Sequence, residues 1–260
     1  FAVSDHPRLD VSMLVDKSSA PQVSARFFVP GARMKDMPLK NTVLTLSNAG
    51  SSVTGKDVLN LSLSTEMELT KASIIANAYH DTIETQIAID TFTYEHPLLP
   101  EGWQQMSARE LRSTLLSMMD LYETKQVLVG AQRAGVYGGE VRAITHFSMR
   151  EEKPQIDVHI LPDTLLLRNA IYTLGESHIS YCAADTSLRV DGFSFRGAGQ
   201  FIEANGVASR NSQDSLTIRL QKVDASYVVP FVLPKQIIMF DGMMTGALSV
   251  GGVLKQPKIN

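Results

Sequence analysis

The run with the most chemical promise is Gly50-Ser-Ser-Val-Thr-Gly55-Lys56-Asp57. It matches a phosphate-cradling P-loop at every specified position except the last, where Asp57 replaces the hydroxyl that would bind magnesium. Such a loop must also open a helix whose N-terminus receives the phosphates. Here Val58 to Thr65 alternates as a strand, so the run reads as a hairpin loop and not as a nucleotide site.

Six histidines offer metal chemistry: His6, His80, His96, His146, His159 and His178. Asp157 and His159 share one strand face, and His146 on a neighbouring strand is placed to approach them. That set lacks a further convincing ligand, so these residues read as solvent-facing groups opposite Ile156, Val158 and Ile160. Glu151 and Glu152 are adjacent; in a strand they point to opposite faces and cannot work as a carboxylate pair, and a solvated turn is the reading. Cys182 stands alone and excludes a disulfide framework, a CxxC pair or a thiolate zinc cage. Gly192, Gly197 and Gly199 are misspaced for a dinucleotide loop, and the apolar parity changes at Gly192, which predicts a bulge or tight bend. No Gly-x-Ser-x-Gly elbow occurs. These residues predict no catalytic group, no metal and no cofactor.

The elements that carry them have period two. Leu9, Val11, Met13 and Val15 alternate with polar residues, as do Val23, Ala25, Phe27 and Val29; the pattern returns at Leu59-Leu61-Leu63, Ile87-Ile89, Val141-Ala143-Phe147, Ile156-Val158-Ile160 and Leu216-Ile218-Leu220. Turn signals stand between them at Pro30-Gly31, Asn48 to Gly50, Gly138-Gly139, Asp191-Gly192, Asn205-Gly206 and Asn211 to Asp214. Short antiparallel strands in meanders are expected. One segment departs: Ser107 to Lys125 places Leu111, Leu115, Met118 and Tyr122 on one helical face, and Ser107 with Glu110 forms a capping box. One amphipathic helix is expected at 107–125, buried against apolar sheet surface as part of a core or across the mouth of a groove.

At 260 residues the chain can form one elongated all-β unit, 1–260, with 107–125 as a helical insertion. Its composition, 44% hydrophobic and 20% charged with a net charge of -3, excludes extensive disorder and gives no electrostatic reason to expect nucleic acid. No apolar run reaches the length of a membrane-spanning helix. The start at Phe1 and the end at Asn260 read as those of a fragment, so a membrane anchor is expected in an upstream segment.

Pro154-Gln-Ile-Asp-Val-His-Ile-Leu-Pro-Asp-Thr-Leu-Leu-Leu-Arg-Asn169, then Leu188-Arg-Val-Asp-Gly-Phe-Ser-Phe running into Phe201-Ile-Glu-Ala-Asn-Gly-Val-Ala-Ser, then Asp214 to Asp224 before Phe240-Asp-Gly-Met-Met-Thr-Gly-Ala-Leu-Ser-Val250, together resemble the strand repeats of the TamB/AsmA-like envelope family. Residues 8 to 90 resemble it more loosely, and the helix at 107–125 has no counterpart. The resemblance implies a long antiparallel sheet curled into a half-pipe, or β-taco, with an apolar lumen and a polar outer face. It implies a periplasmic position, a bridge between inner and outer membranes, phospholipid transport, assistance to an outer-membrane assembly protein, and no enzymatic activity.

On this reading Ile156, Val158, Ile160, Ile202, Ala204, Leu216, Ile218 and Leu220 line a lipid groove. Its occupants would be phospholipid acyl chains or partner β-strands. Each methylene withdrawn from water contributes about 0.8 kcal/mol, so a ten-carbon stretch gains roughly 8 kcal/mol before ordering costs. Two readings compete with transport. One is a β-rich protein-binding module of another envelope complex, joined through sheet edges. The other is a carbohydrate-active enzyme, which the single tryptophan and 7% aromatic content disfavour.

Overall fold

Alternating apolar and polar residues become antiparallel strands because the pleat sends successive side chains to opposite faces. The computed structural model describes residues 2–3, 6–15, 22–34, 37–51, 57–211, 213–224, 242–253 and 256–259. Seven strands come first: β1 (Ala2–Val3), β2 (Arg8–Leu14), β3 (Gln22–Met34), β4 (Met37–Ser51), β5 (Asp57–Met67), β6 (Lys71–Tyr79) and β7 (Thr82–Tyr94). A 3-10 turn (Trp103–Gln105) and two helices, α1 (Ala108–Met118) and α2 (Leu121–Arg133), follow. The chain then returns to strands as β8 (Gly135–Arg150), β9 (Lys153–Ile160), β10 (Asp163–Leu167), β11 (Ala170–Leu174) and β12 (Ser177–Cys182). It finishes with β13 (Ser187–Gly197), β14 (Gln200–Ala208), β15 (Leu216–Asp224), β16 (Met243–Val253) and β17 (Gln256–Ile259).

The described strands form one long curved antiparallel sheet of 17 strands, so the all-β class and the curved sheet read from the sequence hold. Each strand pairs with its successor from β2 to β9. The order then skips, because β9 pairs with β12. The β10–β11 hairpin sits end to end with that pair, bonding to β8 at Gly138 and Gly139 and to β13 at Phe195 to Gly197. From β12 to β17 the meander resumes.

Most of the expected turns lie inside strands. Pro30-Gly31 falls within β3, Gly138-Gly139 within β8 and Asn205-Gly206 within β14. The Asn48 to Gly50 and Asp191-Gly192 signals coincide with register shifts, between Ser47 and Gly50 and between Val190 and Phe193. A bulge answers the same need as a turn, a residue with unusual backbone freedom, and it bends the strand without ending it. Strands are therefore up to 16 residues long instead of short. True reversals fall at Glu151-Glu152, in the left-handed region at φ 52° and 60°, and at Asn211 to Asp214, where Asp214 N donates to Asn211 O.

The single helix expected at 107–125 is two helices reaching to Arg133. The capping box at Ser107 and Glu110 forms as read: Glu110 N donates to Ser107 Oγ at 3.3 Å and Ser107 N donates to the Glu110 carboxylate at 2.8 Å. A second cap breaks the helix, since Asp120 accepts from Glu123 N and starts α2. Leu111 and Leu115 are buried as expected, but Met118 and Tyr122 are exposed because the chain turns between them. The pair does not pack on the sheet as a core. It builds its own cluster from Leu111, Leu115, Val127 and Leu128, closed by Leu99, Trp103, Met106, Met119 and Ala131. Gly130 is required there, because a Cβ would come within 2.6 Å of the His96 side chain.

Candidate functional site

Register decides which side chains share a face, and here one face is apolar from strand to strand. A single row of directly paired residues runs Leu59, Ala78, Ile83, Thr145, Val158, Ile179, Val190, Gly206, Leu216 and Val250 across ten strands. At the usual spacing of neighbouring strands that row is about 43 Å long. Parallel rows flank it, among them Phe27, Leu44, Leu63, Ile74, Ile87 and Val141, and on the other side Phe193, Ala204, Ile218 and Leu248.

The structure places all eight sequence-derived groove residues on this face. Ile156, Val158 and Ile160 occupy β9; Ile202 and Ala204 stand opposite Leu220 and Ile218 between β14 and β15; Leu216 faces Gly206. Leu216 is buried in a cluster with Val190 and Ala208, packed by Phe193, Ala204 and Val250, and the other seven are half-buried.

No second sheet covers the face among the described residues, where every strand belongs to the one sheet. Large apolar side chains stay open to solvent along it: Leu59 is 46% exposed, Leu61 36%, Ile87 44% and Phe147 42%. An exposed apolar patch of this extent marks an interaction surface. Tyr172 and Phe195 stack on it with ring centroids 4.9 Å apart, at the joint between the β10–β11 hairpin and β13.

The opposite face is polar and cross-linked. Asn60 Nδ2 donates to Asn77 Oδ1 at 2.6 Å, Ser180 Oγ to Asp157 Oδ1 at 2.5 Å, and Arg196 pairs with Glu203. The Asn41 amide and the Lys71 ammonium hold the Glu66 carboxyl below its ordinary value, and the Glu84 carboxylate that accepts from Tyr79 raises the phenol. Ser187 donates to Asp185 through its hydroxyl and backbone and lowers that carboxyl too.

The metal set assembled from sequence comes apart on this face. His146 faces Asp157 across β8 and β9, but His146 Nδ1 pairs with Thr82 Oγ1 at 2.8 Å, while Asp157 accepts from Ser180 and from Gln155. His159 is instead paired with Glu176 and stacked on His178. Those two partners went unread because β9 and β12 are separated in sequence by a complete hairpin. The alternation Glu176-x-His178 was the available signal.

Cys182 is buried and free of disulfide bonding. The P-loop-like run is flanked by paired strands, Gly50 against Val58 and Ser51 against Asp57; residues 52–56 lie outside the described residues. Asp57 opens a strand and not a helix. No described helix is long and apolar enough to cross a membrane, which leaves strand-based spanning unaddressed. No family model, curated protein or solved structure matches the chain.

Proposed function

We propose that this chain is a non-enzymatic periplasmic segment of a TamB/AsmA-like envelope protein, anchored at the inner membrane by an upstream segment. Its apolar face would carry phospholipid acyl chains between the membranes and so serve outer-membrane biogenesis and protein assembly. One observation supports the reading above others: the largely apolar face leaves Leu59, Leu61, Ile87 and Phe147 open to solvent, while charged side chains such as Glu66, Asp157 and Arg196 lie on the other face. Acyl chains suit such a wall because hydrophobic attraction has no direction, so a tail is held at every point by about the same contacts. The headgroup stays in water at the rim.

The test is extraction of the purified chain with organic solvent, followed by mass spectrometry. Co-purifying phospholipid at a reproducible ratio is the expected result. A lipid-free extract from protein made in a lipid-rich envelope would reject the proposal.

A second reading, binding of partner β-strands, is favoured by the sheet edges. Among the described residues the registers pair β2 with β3 and β17 with β16, and such strands offer backbone groups to which a partner strand could add. An extract without lipid, together with cross-linking of a partner strand to β17, would favour this alternative.

A further inference from the structure

We propose that His159, Glu176 and His178 form a site for a divalent transition metal of the zinc, cobalt or nickel type, on the polar face of the sheet. His159 sits on β9 and His178 directly opposite on β12. Cross-strand partners project to the same side, and Glu176 lies two residues before His178, at the same parity. Three donors therefore converge from β9, from β12 and from the residue just before β12. Their ligand atoms all lie within 4.8 Å of one another. His159 Nε2 is 2.7 Å from Glu176 Oε1, and the two imidazoles stack with centroids 4.1 Å apart and planes 12° from parallel.

Two imidazoles and a carboxylate are the donor set that borderline divalent cations prefer over magnesium or calcium, which take oxygen. Metal–nitrogen bonds near 2.0–2.1 Å in a tetrahedron put neighbouring donors about 3.3 Å apart. The present spacing brackets that value, so a cation enters by side-chain rotation with the strands fixed. Three protein ligands leave a fourth position for water or for a group from outside the chain.

The surroundings help. The same cross-strand row continues from His178 to Asp191 and from His159 to Ile144 and Glu84, which puts carboxylates at both ends of the row and an apolar residue beside one imidazole. Glu176 is exposed, so the site opens to solvent and the cation needs no path through the protein.

The site is tested by equilibrium dialysis of the tag-free chain against zinc chloride, and by cobalt(II) titration followed through visible d–d absorption. One equivalent bound at micromolar affinity, with the intense absorption of four-coordinate cobalt, is expected. His178→Ala and Glu176→Gln should each weaken binding at least tenfold, while His146→Ala leaves it unchanged. Glu176→Gln alters only an exposed residue outside the strands and remains a test if His178→Ala fails to fold. The proposal is overturned by the absence of saturable one-to-one binding, or by binding that survives both variants. In that case His159 and Glu176 are a hydrogen-bonded pair and nothing more.

Discussion

Val190 and Phe193 lie on the same face of the sheet although three positions separate them along one strand. Regular alternation would send them to opposite faces. The extra residue at Asp191-Gly192 restores the parity, so Phe193 and Phe195 join Leu188 and Val190 on the apolar side. Gly192 takes φ 73° and Gly206, which faces Val190, takes φ 122°. A Cβ at Gly192 would meet only the Glu176 carbonyl at 3.5 Å, whereas one at Gly206 would fall 2.2 Å from the Ser215 carbonyl. Gly192→Ala should therefore cost about 1 kcal/mol from backbone conformation alone. Gly206→Ala, which adds steric conflict, should cost about 3 kcal/mol. Urea unfolding midpoints at constant slope separate the two, and equal losses would contradict the explanation.

Ile87 is 44% exposed on the apolar face, so if that face holds acyl chains as proposed, a substitution there removes contacts to them more than core packing. Ile87→Asp should leave stability within about 1 kcal/mol. Retained phospholipid should fall about tenfold, through loss of roughly 1.5 kcal/mol of contact and the added charge. Gln86→Asp, one residue away on the polar face, is the control. Equal lipid retention by both variants would argue against acyl chains on this surface.

Glu110 in the α1 capping box is held below its ordinary value, chiefly by the Ser107 hydroxyl and then by the Ser107 backbone amide. A carboxyl lowered by folding adds stability that is complete above its unfolded value, near pH 4, and is lost as pH falls through the lowered folded value. The helices should therefore loosen in acid below about pH 4, seen as faster amide exchange in α1. Glu110→Gln keeps a neutral capping partner and should remove this group's share of the pH dependence.

Thr124 in α2 is buried, and its hydroxyl has no hydrogen-bond partner among the described residues. Thr124→Val keeps the shape and removes the stranded polar group, so a gain of about 1 kcal/mol is expected. The melting temperature should rise by about 2–4 °C. A lower melting temperature would show that the hydroxyl is bonded in solution.

The apolar face was legible because alternation is a local property: Ile156, Val158, Ile160, Leu216, Ile218 and Leu220 could be assigned to one side of their own strands without knowledge of neighbours. Strand length was not. A glycine in a strand and a glycine in a turn leave the same mark, and only pairing tells that Gly138-Gly139 bends β8 while Glu151-Glu152 ends it. The helix break also depended on a single capping aspartate, Asp120, inside a pattern that continued through it. The His159, Glu176 and His178 cluster was the least readable feature, since its two strands meet only after the β10–β11 hairpin is set aside.

The long row from Leu59 to Val250 carries no charged side chain. A proposed acyl guest would meet hydrophobic contact along this row without a charged side chain to anchor it. Were acyl chains to travel along it as proposed, net direction would have to be imposed from the ends, by unequal supply and removal of cargo or by machinery that does work there.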